Sequence, residues 1–142
     1  MMKSHEGEAR MFEKLEVFRM AHAMAVHAGE KQAVTAQNVA NSDTPDYQAR
    51  DVIPFSDTYS RDPANGGWGS QKATRQTHIN GAAAGQTPDP IIDENGVGSP
   101  NGNTVSLENE MLKSLDAKRQ HDRALAIYKS SLSILRATLS RS

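Results

Sequence analysis

Apolar residues recur at helical spacing along residues 11–41 and again along residues 107–139, and the roughly sixty positions between show no such period. In the first stretch Phe12, Leu15, Phe18, Met24, Val34 and Val39 supply bulk. Ala21, Ala25, Ala28, Ala36 and Ala40 follow mostly at three- and four-residue steps. There is no proline, and Gly29 is the only glycine between positions 11 and 41. The pattern predicts an amphipathic helix of roughly thirty residues, about 45 Å long. Gly29 costs about 1 kcal/mol against alanine and marks a candidate break. Alanine-rich faces let helix axes approach closely. A helix this long cannot bury its stripe against itself, so it needs a partner.

The second stretch has neither glycine nor proline from Leu107 to Leu139. Leu125, Tyr128, Leu132, Leu135 and Leu139 step by three and four, which predicts a packing seam over about two heptads. Carried backwards, the same register meets His121, Lys118, Ser114 and Met111, and the seam weakens. Ile127 and Ile134 widen the apolar face, so contact with more than one neighbour is expected. The other face carries Lys113, Lys118, Arg119, Arg123, Lys129 and Arg136, mixed with Asp116 and Asp122. Ser106 is the expected N-cap, and Glu108 and Glu110 place negative charge in the first turn, where the helix dipole favours it.

Between the arms the character changes. All six prolines lie between Pro45 and Pro100, and eight of the ten glycines between Gly66 and Gly102. Apolar residues are scattered, and such a segment cannot bury enough surface to offset its own ordering entropy. Val52-Ile53-Pro54-Phe55 reads as a short extended piece, and Trp68, flanked by glycines, as a loop that docks one ring on a neighbour. The expected organisation is mainly α, with a disordered polar lead-in over residues 1–10 and a helix and turn over 11–47. An irregular Gly/Pro-rich segment over 48–104, ordered by neighbouring subunits, and a helix over 105–142 complete it.

The first arm ends at Ala36-Gln37-Asn38-Val39-Ala40-Asn41-Ser42-Asp43-Thr44-Pro45-Asp46-Tyr47. Pro45 lacks a backbone N–H and pushes Thr44 out of the helical region. Asn41, Ser42, Asp43 and Thr44 bond nearby backbone and compete with helix. Asn38 and Asn41 lie three apart on one face. A carboxamide both donates and accepts, so such a pair can tie a helix end to the chain folding back over it. Composition alone also allows a plain helix stop and turn.

The string resembles the N-terminal signature of the bacterial flagellar axial proteins (rod, hook and hook-associated), whose usual form is A-x-N-x-A-N-x-x-T-P-G-Y. Ala36, Asn38, Ala40, Asn41, Thr44, Pro45 and Tyr47 stand at the matching positions. Asp46 replaces the usual glycine, which points to a residue of positive φ that aspartate tolerates with some strain. Gln48-Ala49-Arg50-Asp51-Val52 is similar to the proximal rod members. Asn101-Gly102-Asn103-Thr104-Val105-Ser106-Leu107-Glu108-Asn109-Glu110-Met111 resembles the rod-family segment that opens the C-terminal helix. Thr77-His78-Ile79 resembles, more weakly, an element from the middle of rod proteins.

The resemblance implies that the two helices pair as a coiled-coil-like unit and that these units pack helically around a central export channel. It implies a structural subunit of the proximal rod joining the MS ring to the rod. Its neighbours would be copies of itself, other rod subunits, the MS-ring protein and the ring–rod adaptor. It would reach the periplasmic basal body through the flagellar type III export apparatus, without a cleaved signal peptide. Asn38, Ala40, Asn41, Thr44, Pro45, Tyr47, Arg50 and Asp51 would then be the assembly motif.

Composition narrows the alternatives. A net charge of −1 is not a nucleic-acid footprint. Mean hydropathy is −0.64, and aromatic residues make up 5%, which is thin for a compact core. Cysteine is absent, so disulfides and cysteine–metal sites are excluded. No apolar run reaches the length of a membrane span, and Met1 to Arg10 has no apolar core of a signal peptide. The helix faces are not cationic and aromatic enough for direct lipid binding.

No phosphate-binding, nucleophile-elbow or zinc-protease motif is present. Gly81-Ala82-Ala83-Ala84-Gly85 has no lysine behind it, and His22 and His27, five apart, fall on different helix faces. No cofactor, metal or catalytic role is expected. Arg50 and Asp51 read either as two exposed charges or as an intersubunit ion pair. The main alternative function is a cytoplasmic helical adaptor or chaperone that binds a partner through its C-terminal helix.

Overall fold

A computed structural model describes residues 4–61 and 89–140. Trp68, Thr77-His78-Ile79 and the run from Gly81 to Gly85 lie outside them. Among the described residues five elements follow in order: α1 (Ser4–Ala40), β1 (Arg50–Asp51), α2 (Phe55–Arg61), β2 (Ile91–Ile92) and α3 (Leu107–Leu139).

The two long helices are antiparallel and pack against each other. Asn38 of α1 meets Glu110 of α3, and His27 meets Gln120. Further along, the Phe18 and Tyr128 rings stack edge to face, 5.1 Å apart. At 1.5 Å per residue, α1 runs about 55 Å and α3 about 50 Å. α1 starts at Ser4, inside the stretch expected to be a disordered lead-in. Nothing there stops it: residues 4–10 hold no proline, and Gly7 alone costs about 1 kcal/mol. The helix also passes through Gly29 unbroken, where an added Cβ would meet nothing within 4 Å.

The buried positions of α3 are Glu110, Ala117 and Ala124, seven apart, a heptad spacing. The leucine seam expected from the sequence lies beside this line. Leu125 is 40% exposed, Tyr128 45% and Leu139 74%, while Leu132 and Leu135 are half-buried. Small side chains take the intramolecular face because they let the helix axes approach closely, and the bulkier residues are displaced to its flank.

The described parts of the segment from 48 to 104, residues 48–61 and 89–104, are less irregular than their composition predicts. β1 and β2 pair antiparallel, with Arg50 opposite Ile92 and Asp51 opposite Ile91. Phe55 opens a helix where an extended piece was expected. Pro54 sits just before it, where a missing N–H costs nothing, and its carbonyl accepts from the Asp57 and Thr58 amides.

The apolar core of the described residues is slight: Ala21, Ala23, Ala28, Val34, Ala49, Val52, Ala117 and Ala124. Beside it lie His27, Thr35, Asn38, Thr58, Asn103 and Glu110, also buried. Alanine and valine contribute little transfer free energy, so hydrogen bonding between specified partners decides much of this packing. Among the described residues no helix is long and apolar enough to cross a membrane.

Candidate functional site

The first helix stops as the sequence predicts, and the stop is the start of a polar clasp. α1 ends at Ala40. The Asn41 side chain donates back to the Gln37 carbonyl at 2.8 Å, and the Thr44 hydroxyl donates to Asn41 Oδ1 at 3.3 Å. Asp46 then takes φ 58°, the left-handed conformation expected from its place in the signature that the string resembles. This reverses the chain and brings Tyr47 and Arg50 back over the helix.

Asn38 is wholly buried and makes four hydrogen bonds. Its Nδ2 donates to the Arg50 carbonyl at 2.7 Å and to Glu110 Oε2 at 3.0 Å. Its Oδ1 accepts from the Arg50 amide at 3.0 Å and from the Tyr47 hydroxyl at 3.2 Å. A carboxamide offers two donors and an acceptor oxygen, and all of that capacity is used. It pairs with Arg50 as a neighbouring strand would, on the side of β1 away from β2.

Asn103 does the same from the other motif. Its Nδ2 donates to the carbonyls of Asn41 at 2.9 Å and Thr44 at 2.7 Å. Its Oδ1 accepts from the Val105 amide at 2.8 Å. Carbonyls left over at the end of α1 need such partners. Around this centre the Asp46 amide donates to the Asn101 carbonyl, and the Thr104 amide to the Tyr47 carbonyl. Thr104 Oγ1 accepts from the Ala49 amide at 2.8 Å. Gly102 takes φ +81°, and a Cβ there would meet Asp46. The two motifs, about sixty residues apart, are thus the two halves of one structure.

A charged cluster closes the clasp on the β-side. Lys113 Nζ lies 2.7 Å from Asp93, 3.1 Å from Asp51 and 3.3 Å from Glu110. Burial by itself would lower the Lys113 pKa. Hydrogen bonds to Asp93 and Asp51, and the charges of Asp51 and Glu110, outweigh it and hold the ammonium well above its ordinary value. Asp93 is held below the usual carboxylate range by the Lys113 hydrogen bond, against some desolvation. Ser106 caps α3 as expected, accepting from the Asn109 amide at 3.5 Å, a long contact.

Further along, buried His27 joins three segments. Its Nε2 donates to the Ile53 carbonyl at 2.7 Å, so Nδ1 is free to accept from Gln120 Nε2 at 2.9 Å. The Phe55 ring packs edge-on against it at 5.6 Å.

The structure therefore brings together Asn38, Asn41, Thr44, Tyr47, Arg50 and Asp51. Ala40 and Pro45 are exposed. Arg50 contributes its backbone to the clasp, and Asp51 pairs with Lys113 within the chain. Leu125, Tyr128, Leu132, Leu135 and Leu139 lie outside the clasp. Asn103, Glu110, Lys113, Asp93 and His27 were not singled out as site residues. Asn103 and Glu110 stood inside a recognisable motif, whereas Asp93 carried no local signal. Among the described residues no group of acids, histidines or cysteines is placed to hold a metal ion.

These features define a class: a mainly helical hairpin whose closed end is locked by two asparagine-centred motifs, the pattern that resembles flagellar axial proteins. The resemblance extends to the whole chain, which is 27% identical over 136 residues to the flagellar basal body rod protein FlgB of Agrobacterium fabrum (strain C58 / ATCC 33970). The match covers 93% of this chain and 98% of that protein. No protein-family model matches the chain.

Proposed function

We propose that this chain is a structural component of the flagellar basal-body rod, the role that its relative's name states. The observation that carries the reading is the clasp. Asn38, Asn41, Thr44 and Tyr47 of the axial signature meet there, and likeness to FlgB extends over nearly the whole chain. In the finer form of the proposal the chain is a proximal rod subunit, in a helical array around the export channel, joining the MS ring to the rod. It contacts its own copies, other rod subunits, the MS-ring protein and the ring–rod adaptor. It leaves the cytoplasm through the type III export apparatus without a cleaved signal peptide. Its work is mechanical, and no catalytic step is assigned to it.

Two features support assembly as the source of order. The core of alanines and valines is too small to hold two helices of this length by itself. Leu107, Met111, Leu112, Leu115, Leu125 and Ile134 on α3 are 40–71% exposed. In the proposed role they bury against neighbours. The isolated chain at low concentration is then weakly helical and orders on assembly. Circular dichroism of dilute monomer tests this, and a cooperative melt from full helicity contradicts it.

The exposed face of α3 equally suits an adaptor that binds one partner. A deletion strain separates the two. Electron microscopy of the rod reading's deletion shows membrane rings without a rod, restored by the wild-type gene. Intact flagella in the deletion strain leave the adaptor reading standing.

A further inference from the structure

The two edges of the small sheet are not alike. On the side of β1 away from β2, the Arg50 amide and carbonyl both bond the Asn38 carboxamide, so neither reaches β2. Arg50 and Ile92 are therefore the non-hydrogen-bonded pair of the ladder. The Asp93 amide, donating to the Ala49 carbonyl, continues the same alternation. The Ile92 N–H and C=O then point away from β1, to the outer edge, where they meet no partner among the described residues. Pro90 fits this alternation. Two residues before Ile92, its ring stands where an N–H would face outward, so no bond to β1 is lost. One edge of the sheet is completed by a carboxamide, and the other is open.

The side chains and charges around that edge define what suits it. Ile91 is 48% exposed and Ile92 56%, an apolar pair on a strand whose backbone is open. Asp51, Ile91 and Asp93 alternate onto the face that meets Lys113, and Ile92 lies on the other face with Arg50. Asp89 and Glu94 flank the pair, both exposed. No base occurs from Asp89 to Leu112, and Lys113 is already held by three carboxylates. Two copies of β2 laid edge to edge would bring these acids together, and like charges across a strand pair are destabilising. The edge therefore matches a strand of a different sequence.

We propose that the outer edge of β2 is a docking edge for an extended segment of another protein, apolar at its centre and carrying Lys or Arg at its ends. The segment lies antiparallel to β2, the more stable of the two pairings. Its central residue sits opposite Ile92, donating its N–H to the Ile92 carbonyl and accepting from the Ile92 amide. A further N–H, two residues on, reaches the Pro90 carbonyl. These main-chain bonds supply affinity. Apolar contact on Ile91 and Ile92, and the charges of Asp89 and Glu94, supply selection. The proposal uses the geometry of the sheet and no part of the rod reading.

A capped, fluorescently labelled Lys-Thr-Val-Val-Lys peptide tests it. Antiparallel on β2, it sets its first valine opposite Ile92, its second opposite Ile91 and its lysines beside Glu94 and Asp89. It is titrated by fluorescence anisotropy against the full-length protein, at concentrations where the helical signal is complete. Saturable binding is expected. A twin N-methylated at the first valine cannot donate to the Ile92 carbonyl and is expected to bind about tenfold more weakly. Ile92→Pro removes the outward N–H alone and is expected to cost about tenfold with the helical signal unchanged. Glu94→Lys is expected to cost about threefold at low salt and less at high salt. Absence of saturable binding, as when a second copy or residues 62–88 already fill the edge, overturns the proposal. So does equal binding of the N-methylated twin, a comparison that needs no variant to fold. An Ile92→Pro chain that binds like wild type places the peptide elsewhere and also overturns it. The rod reading fails separately, by absence of the chain from basal-body particles, whatever the peptide does.

Discussion

The Asn38 carboxamide and the Glu110 carboxylate, 72 positions apart, meet at 3.0 Å in a buried site. That bond joins the end of the first helix to the first turn of the last one. The same carboxamide holds Tyr47 and both backbone groups of Arg50. Removing it strands several buried groups at once. Asn38→Ala is expected to destabilise the assembled protein by about 2–4 kcal/mol, whereas Tyr47→Phe, which deletes one bond, costs about 1 kcal/mol. Thermal melting of the helical signal in assembled protein measures both. Equal costs for the two variants would mean that the Tyr47 bond, and not the carboxamide as a hub, carries the clasp.

Lys113 faces three carboxylates, and its replacement by methionine leaves them uncompensated. Lys113→Met is expected to lose about 2–3 kcal/mol at neutral pH, at the low side for a broken pair because the group is 20% exposed. The pH dependence follows from the shifts. The Lys113 pKa is raised above 10.5, so its contribution is complete below pH 10.5 and is lost only as pH rises through the higher folded value. The Asp93 pKa is lowered below 3.8, so its contribution is complete above pH 3.8 and is lost as pH falls through the lower folded value. In the variant Asp93 loses the hydrogen bond that lowers its pKa, so the gap to wild type narrows as pH falls below the ordinary carboxylate value of 3.8. A gap that stays constant as pH falls from 7 to about 2 would contradict this.

The turn tests the special backbone. Asp46 is held at φ 58°, so Asp46→Gly is expected to stabilise by about 0.5–1 kcal/mol. Gly102→Ala forces a Cβ onto Asp46 at a positive φ and is expected to cost about 1–3 kcal/mol. The Asp46 carboxylate is part of that clash, so the double variant loses less than the two effects summed. Simple additivity would place the strain at Gly102 alone.

Gly29 lies exposed within an unbroken helix, with open space where a Cβ would go. Gly29→Ala is expected to raise helicity and add about 1 kcal/mol. Loss of assembly in this variant, with helicity gained, would instead place a neighbouring subunit against that glycine.

Much of this fold was legible in the sequence because its signals are local. Three- and four-residue periods mark both long helices, and Pro45 and the polar residues before it mark the stop. The positive φ of Asp46 followed from its place in the motif. The idea that an asparagine ties the helix end to the returning chain held for Asn38, while the Asn41 side chain turns back onto its own helix. The helix contact was read too literally from residue size. Leucines mark a large apolar face, but close-packed axes select Ala117 and Ala124, and the leucines stand aside. β1 and β2 are two residues each, too short to leave any period. The Asp93–Lys113 pair depends on how the chain returns, which no local pattern encodes. The starting point of α1 was missed because charge and a glycine were taken as disorder, although neither ends a helix.

The central claim, that this chain is a rod subunit, is tested most directly by mass spectrometry of detergent-extracted hook–basal-body particles from the bacterium that makes it. The account predicts that the chain is present in those particles in constant proportion to other rod proteins and remains after washes that strip adhering cytosolic protein. Its absence from intact particles, with the chain recovered in the cytosol, would contradict the account.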